Sequence, residues 1–177
     1  MVEQDLTQLI RQAKAGDTDA FAVLVARFKG EVFRHAYAMT GDRMEAEDIS
    51  QEAFVKAWYA LDKLEHAYAF ASWMSKIVSH LCYDRLKKLR KKVDLQAEIE
   101  EEPLRRPTSN IDNANLRFDI RSAMEKLSPE HRAAIVLRDI QGYSYEEIAD
   151  ILNIPLGTVK SRINTARNIL KKELSRG

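Results

Sequence analysis

The stretch SYEEIADILNIPLGTVKSRINTARNIL, residues 144–170, holds two helical patterns separated by a short break. Ser144 and Glu147 have the spacing of a capping box, which predicts that a helix begins after this serine. Asn153 and Pro155 predict its end, because proline disfavours helical backbone in the residue before it. The second pattern has one narrow apolar face, at steps of four, three and four residues: Val159, Ile163, Ala166 and Leu170. Two amphipathic helices joined by a short turn predict a helix-turn-helix.

The opposite face of the second helix is polar and basic, and residues 157–167 contain no acidic side chain. A helical period of 100° per residue places short polar side chains in the middle of this face and cations beside them. Short polar side chains can read base edges, while cations hold phosphates. We therefore predict a recognition helix, with candidate DNA contacts at Thr158, Lys160, Ser161, Arg162, Asn164, Thr165 and Arg167.

Another helix start precedes this motif at Ser128-Pro129-Glu130, where a capping serine is followed by proline and by an acid in the first turn. The apolar segment HRAAIVLRDIQG follows it, and Gly142 closes that helix. Helical periodicity resumes near Asn115, so we predict a C-terminal module over residues 114–177.

Residues 1–92 predict a separate module of four helices. A short helix ends near Gly16, and a second one begins at a capping Asp17 or Asp19 and runs to about Thr40. The other two helices of this module are predicted at about residues 43–61 and 70–92.

The third predicted helix has two distinct faces. Its apolar residues gather on one side: Ala46, Ala53, Phe54, Ala57 and Leu61. The other side is acidic, with one valine embedded in it: Asp48, Gln51, Glu52 and Val55. By itself, such a face is most simply a solvated surface.

The fourth predicted helix carries a basic stripe interrupted by aromatic side chains. Its inward side has Phe70, Met74, Ile77 and Leu81, and the stripe consists of Lys76, His80, Tyr83, Lys87 and Arg90. The run RLKKLRKK, residues 85–92, has six basic positions in eight. Such a stripe can follow a phosphate backbone while rings stack on unpaired bases, at about 1–3 kcal/mol per base. A solvated helix end is the simpler alternative, but this density of cations favours nucleic acid.

Composition favours an all-α fold of two small helical domains joined by an extended acidic linker, with the helix-turn-helix in the second domain. Hydrophobic residues make up 45% of the 177 residues and charged ones 31%, with only 6 glycines and 4 prolines. Residues 93–113 lack an apolar period, contain Pro103 and Pro107, and hold six acids against two arginines. We therefore predict domains at 1–92 and 114–177, with residues 93–113 as the linker.

The sequence argues against several function classes. One cysteine, Cys82, rules out an internal disulfide framework, and no run of 18 apolar residues could span a bilayer. The start, MVEQDLTQLI, is acidic and polar, unlike a signal peptide, so we expect a cytoplasmic protein without direct membrane insertion. The four histidines are scattered, and we find no phosphate loop, metal-ligand spacing or nucleophile motif. We expect no enzyme, no catalytic residue, no metal and no cofactor.

Three segments together resemble the extracytoplasmic function (ECF) group of bacterial RNA polymerase sigma factors, within the sigma-70 family. They are AEDISQEAFVKAW (46–58), FASWMSKIVSHLCYDRLKK (70–88) and LSPEHRAAIVLRDIQGYSYEEIADILNIPLGTVKSRINTAR (127–167). Their order and spacing match the family over nearly the whole chain outside the linker. The resemblance implies an alternative sigma factor that binds core RNA polymerase and directs promoter-specific transcription initiation.

The resemblance also implies a role for each segment. The acidic face of Asp48, Gln51, Glu52 and Val55 would dock on the coiled-coil clamp helices of the largest polymerase subunit. The acidic linker would follow a basic path toward the polymerase active centre. The first module would capture an unpaired base of the minus-ten element and hold its phosphates, through His66, Tyr68, Trp73, Lys76, His80, Tyr83, Arg85, Lys87 and Lys88. The recognition helix would read the minus-thirty-five element, and an anti-sigma factor would be a further partner.

Three positions need separate treatment. His80 stands where the family commonly has asparagine, so the usual captured base is not carried over. Thr165 stands where many relatives have arginine, the commonest reader of guanine, which predicts weaker binding or a changed preference. Trp73 suits the hydrophobic core as well as it suits base capture.

Two other classes compete with this interpretation. A repressor or a response-regulator output domain would explain residues 128–172, but it gives no role to the acidic face or to the basic fourth helix. A pure protein-interaction module would not need the cations of the recognition helix. Tight, specific DNA binding without polymerase would favour the repressor.

Overall fold

Eight α-helices make up the part of the chain that the structure describes, residues 2–97 and 112–176 of a computed structural model, and these ranges contain no strand. The helices are α1 Val2–Lys14, α2 Thr18–Thr40, α3 Arg43–Ala60, α4 Phe70–Ala97, α5 Asp112–Glu125, α6 Pro129–Ile135, α7 Tyr145–Leu152 and α8 Leu156–Leu174. Short 3₁₀ turns at Leu61–Lys63 and Ala67–Ala69 join α3 to α4, and a π-helical segment, Val136–Ile140, continues α6.

The helix ends follow the capping residues of the sequence. The carboxylate of Asp17 accepts two backbone N–H groups of the first turn of α2, at 3.0 and 3.1 Å. Gly41 ends α2 with a left-handed φ of 65°, which glycine adopts without a steric penalty. At α7 both bonds of the capping box form, because Ser144 Oγ accepts the Glu147 N–H (3.1 Å) and Glu147 Oε2 accepts the Ser144 N–H (2.8 Å). Each cap contributes about 1 kcal/mol.

The first module packs α2, α3 and α4 around one core. Its largest fully buried side chains include Leu24, Met39, Ile49, Phe70 and Met74. One polar pair lies inside this core, with His35 Nε2 3.3 Å from Ser79 Oγ. Burial lowers the pKa of His35 to about 4, so the imidazole is neutral at pH 7.

The second module packs α5 to α8 around Leu127, Leu137, Ile148 and Ile163, all with no exposed surface. Its described residues share one continuous apolar core with the first module, and side-chain hydrogen bonds cross between the two. Tyr83 donates its hydroxyl to Glu130 Oε1 at 2.6 Å, and the hydroxyls of Ser75 and Tyr143 lie 2.9 Å apart. The buried guanidinium of Arg132 donates to the carbonyl of Met39 at 2.7 Å. These bonds join α4 and the end of α2 to α6 and the segment after it.

The predicted all-α fold of two helical parts is confirmed, and so are the predicted helices with their caps. Helix α4 continues through residues 93–97, which the sequence predicts as part of the linker. Ile77, predicted to face inward, is half buried. Residues 98–111, with most of the predicted acidic linker, lie outside the described residues. The domain boundaries stay a prediction.

Candidate nucleic-acid interface

The outer face of α8 is open to solvent. Lys160, Ser161, Asn164 and Thr165 are exposed, whereas Thr158 and Arg162 are half buried. The opposite face, Val159, Ile163 and Ala166, has no exposed surface at all. Burial of these three side chains fixes the rotation of α8 about its axis, and therefore which residues can enter a groove.

The turn before α8 sets its direction. Helix α7 ends at Asn153, whose backbone is left-handed (φ 54°, ψ 52°), and Pro155 then precedes the first turn of α8. Asparagine tolerates this conformation better than most residues do. The sequence signal Asn-Ile-Pro thus produces the sharp turn that a helix-turn-helix requires.

Arg167 is exposed, but its guanidinium is already paired. It donates to both carboxylate oxygens of Asp139, at 2.7 and 3.3 Å. The hydrogen bond to Asp139 raises the pKa of Arg167. In this arrangement the guanidinium of Arg167, two turns after Lys160 in α8, is held by a carboxylate of the π-helical segment after α6.

The basic stripe of α4 meets the second module. Tyr83 is bonded to Glu130, and the ammonium of Lys87 lies 4.5 Å from the centre of the Tyr83 ring. Burial opposes the charge on Glu130, but the hydrogen bond from Tyr83 and the nearby Lys87 and Arg162 lower the pKa of that carboxyl on balance. His80, Lys87 and Lys88 remain exposed.

Of the three residues predicted to capture a minus-ten base, His66 and Trp73 border a cleft between the modules. This cleft, of about 510 Å³, is lined by His66, Trp73 and Lys76 on one side and by Glu147 and Asp150 of α7 on the other. The rings of His66 and Tyr68 are stacked 5.1 Å apart, and Tyr68 is 81% exposed. Two carboxylates of the second module thus stand opposite a cation that we expect to bind phosphate.

Trp73 is half buried, with its ring 5.9 Å from that of Phe70 at an angle of 42°. It packs against the core and borders the cleft at the same time. Both of the roles that its sequence position suggests therefore remain compatible with its place.

Arg85, the remaining predicted DNA contact of α4, points away from the basic stripe, because its guanidinium faces α3. It donates to Glu45 Oε2 at 2.5 Å, to Asp48 Oδ2 at 3.1 Å and to Glu52 Oε2 at 3.2 Å. The hydrogen bond to Glu45 raises the pKa of the guanidinium. A predicted DNA contact and two predicted polymerase contacts, Asp48 and Glu52, thus meet in one ion-pair cluster.

The acidic face of α3 is accessible and larger than the sequence analysis predicted. Asp48, Gln51 and Val55 are exposed and Glu52 is half exposed. Two further side chains, Met44 at 80% and Tyr59 at 81% exposure, extend the same face at its two ends. We did not select them from the sequence, although the same 100° period places them there.

Other chemistry finds no support in the described residues. They contain no group of three or more metal-ligating side chains, and no helix among them is long and apolar enough to cross a membrane. Burial raises the pKa of the Cys82 thiol to about 12, which makes the thiol unreactive at pH 7.

Two family models match the chain at the places that these surfaces occupy. Residues 24–92 match Sigma-70 region 2, and residues 117–170 match Sigma-70, region 4. The class of protein is therefore that of the sigma-70 factors.

Curated relatives narrow the class to one group. The ECF RNA polymerase sigma factor SigW of Bacillus subtilis is 36% identical over 98% of both chains. The ECF RNA polymerase sigma-E factor of Escherichia coli K12 is 34% identical over 94% of this chain and 92% of its own. The chain belongs to the ECF group of sigma factors and is an alternative sigma factor, which confirms the resemblance.

Solved structures agree with the fold. The sigma factor RpoE of Bartonella quintana, in complex with the anti-sigma factor NepR, matches with a TM-score of 0.69 at 27% identity, over 88% of this chain and 96% of that one. CnrH, in complex with the cytosolic domain of CnrY, matches with a TM-score of 0.72 at 28% identity, over 97% of this chain and 98% of that one.

Proposed function

We propose that this sigma factor binds core RNA polymerase through α3, reads the minus-ten element with α4 and the loop before it, and reads the minus-thirty-five element with α8. The observation that carries the proposal is that two surfaces suited to nucleic acid lie on different modules, while an acidic surface lies on a third side. A repressor would need only the pair α7 and α8.

The minus-thirty-five contact would come from the exposed middle of α8. Lys160 suits a phosphate, and Asn164 can pair with the edge of adenine through its amide. Thr165 offers a hydroxyl and a methyl group, so it can contact thymine but gives no cation for guanine. Arg162 and Arg167 would serve the flanking phosphates once Arg167 leaves Asp139.

The minus-ten contact would come from rings and cations around the cleft. The exposed ring of Tyr68 can stack on an unpaired base. Lys76 borders the cleft where the phosphate of that nucleotide would pass, and Lys87 and Lys88 continue the basic path along α4. The bonds of Tyr83 to Glu130 and of Ser75 to Tyr143 must separate before DNA can follow this path.

Opening of the two modules would accompany polymerase binding. The hydrogen bonds between the modules contribute about 1 kcal/mol each, and the apolar packing of one continuous core adds to them. Contacts with the polymerase would have to replace both. The free chain should therefore bind promoter DNA weakly until core enzyme is present.

We also propose that an anti-sigma factor holds this chain in the cytoplasm. RpoE, which has a similar fold, was solved with an anti-sigma factor, and CnrH was solved with a cytosolic domain of its partner. A partner that binds the acidic face of α3 would compete directly with polymerase.

The test is run-off transcription from genomic DNA with core polymerase, followed by sequencing of the starts. We expect new starts that share a minus-ten and a minus-thirty-five sequence and that require the chain. Tight and specific binding of the chain to those sites in the absence of polymerase would instead support the repressor.

A further inference from the structure

The exposed face of α3 combines apolar and acidic side chains in one continuous stripe. Met44, Val55 and Tyr59 are 80%, 56% and 81% exposed, so three large apolar side chains of this helix face solvent together. They share this face with Asp48, Gln51 and Glu52. At 100° per residue the six positions fall within an arc of about 100°.

The stripe has the dimensions of a helix-packing surface. Residues 44, 48, 51, 55 and 59 follow one another at steps of four, three, four and four, the spacing at which one helix meets another. From Met44 to Tyr59 the stripe extends about 22 Å along the axis. An elongated partner with its own apolar row therefore fits better than a compact ligand.

Charge defines the partner further. Three carboxylates lie in or beside the stripe on one side, Glu45, Asp48 and Glu52, and Arg85 neutralises one of their charges. The net charge of these three carboxylates and Arg85 is therefore −2. A partner helix should therefore carry arginine or lysine beside its apolar row.

We propose that Tyr59 and Met44 are the apolar anchors of the polymerase interface, one at each end of the acidic face, with Val55 between them. The inference rests on the proposed binding of α3 to core polymerase and commits to a basic, partly apolar helical segment of that enzyme. Aromatic side chains dominate the energetics of such interfaces because a rigid ring buries a large area at little entropic cost. Tyr59 is therefore the strongest contact of the three.

The experiment measures the affinity of the full chain for core polymerase after Tyr59→Ser. We expect at least a tenfold loss, the usual effect of truncating an aromatic anchor. The thermal unfolding midpoint should stay the same, because four-fifths of Tyr59 is already exposed. Tyr59→Phe keeps the ring and should retain most of the affinity.

A control comes from Leu116, a large apolar side chain of α5 that is 60% exposed and has no assigned contact with polymerase or DNA. Leu116→Ser should leave the affinity for core polymerase unchanged. If Tyr59→Ser binds core polymerase within twofold of the wild-type chain, the anchor proposal is overturned while the proposed function stands. If the wild-type chain itself fails to bind core polymerase, the proposed function is wrong and the anchor proposal falls with it.

Discussion

The two surfaces suited to DNA are presented in opposite ways. On α8 the central side chains, Lys160 and Asn164 among them, face solvent without a covering element. On α4 the second module covers part of the stripe: Glu130 accepts a hydrogen bond from Tyr83, and Glu147 and Asp150 face Lys76 across the cleft, while His80 and Lys87 stay exposed. The acids of one module thus occupy positions next to cations that should hold phosphates in the other.

This difference suggests an order of events at a promoter. The outer face of α8 is open to duplex DNA as the chain stands, whereas the proposed minus-ten surface would need the modules to move apart. Contacts to unpaired bases are useful only after the duplex opens, so a surface that becomes available late suits that step. The following predictions test the contrast, beginning with the largest expected effect.

Acidification should weaken the first module more than the second, because His35 lies beneath α4. The pKa of His35 is lowered to about 4 in the fold and is 6.5 as its ordinary value. The unfolded chain therefore takes up the proton first, and stability falls as the pH drops from 6.5 toward 4, by about 3 kcal/mol in total. Urea unfolding followed by the fluorescence of Trp58 and Trp73, both in the first module, reports this loss.

The control for that experiment is the histidine itself. His35→Gln should remove most of the pH dependence between 6.5 and 4, whereas His80→Gln, at an exposed position, should preserve it. Equal pH dependence in the wild-type chain and in His35→Gln would contradict the assignment.

Loss of the open surface should impair promoter recognition without affecting assembly. Lys160→Ala combined with Asn164→Ala removes one phosphate contact and one base contact, at about 2 kcal/mol together, so holoenzyme binding to a cognate minus-thirty-five site should fall about thirtyfold. Filter binding at several salt concentrations checks this, and the salt dependence should become shallower by about one ion. Core polymerase affinity should stay at the wild-type level, and a parallel fall there would argue against a DNA-reading role.

Removal of one covering acid should expose the minus-ten surface. Glu130→Ala deletes the acceptor of the Tyr83 hydroxyl and a charge near Lys87, at about 1 kcal/mol, so the free chain should bind a single-stranded minus-ten oligonucleotide about fivefold more tightly. Fluorescence anisotropy measures this affinity. Glu146→Ala removes the same charge from an exposed position in α7 and should have a smaller effect. An equal gain in both variants would indicate general electrostatics rather than uncovering.

The smallest effect is expected at the ion pair between Arg167 of α8 and Asp139. Asp139→Asn should loosen the ion pair with Arg167 and leave that cation for DNA. Exposed ion pairs contribute about 0–1 kcal/mol, so affinity for minus-thirty-five duplex should rise by no more than about fivefold. Isothermal titration calorimetry can resolve this change. If Arg167→Ala has no effect on DNA binding in the Asp139→Asn background, then Arg167 is structural and not a DNA contact.

Local signals predicted most of the fold. The capping residues Asp17, Ser128 and Ser144 all cap the helices that they indicate, because such signals depend on residues within one turn. Helix α4 continues beyond its predicted end. Val93 and Leu95 are exposed in this extension, so the extension has no buried face. A helical segment whose described side chains are all exposed leaves no apolar period in the sequence.

The site could be predicted only in part, because its main features join residues far apart in the chain. The sequence indicated which side chains suit DNA, but not that Arg85 would reach back to α3 or that Glu130 would accept from Tyr83. Met44 and Tyr59 were accessible to the same helical period that identified Asp48. Their exposure depends on which neighbouring helices cover α3, and the helical period alone does not show this.

Two sets of anions compete for Arg85, because one guanidinium cannot pair fully with both the carboxylates of α3 and a DNA phosphate. When basic groups of a partner pair with Asp48 and Glu52, Arg85 is freed from these carboxylates and can turn toward the basic run of α4. A phosphate that draws Arg85 away in turn leaves α3 one charge more negative and more attractive to that partner. Thermodynamic reciprocity requires the two effects to be equal in size. Under the proposed function, this one side chain would make the binding of the enzyme and the binding of the promoter mutually reinforcing.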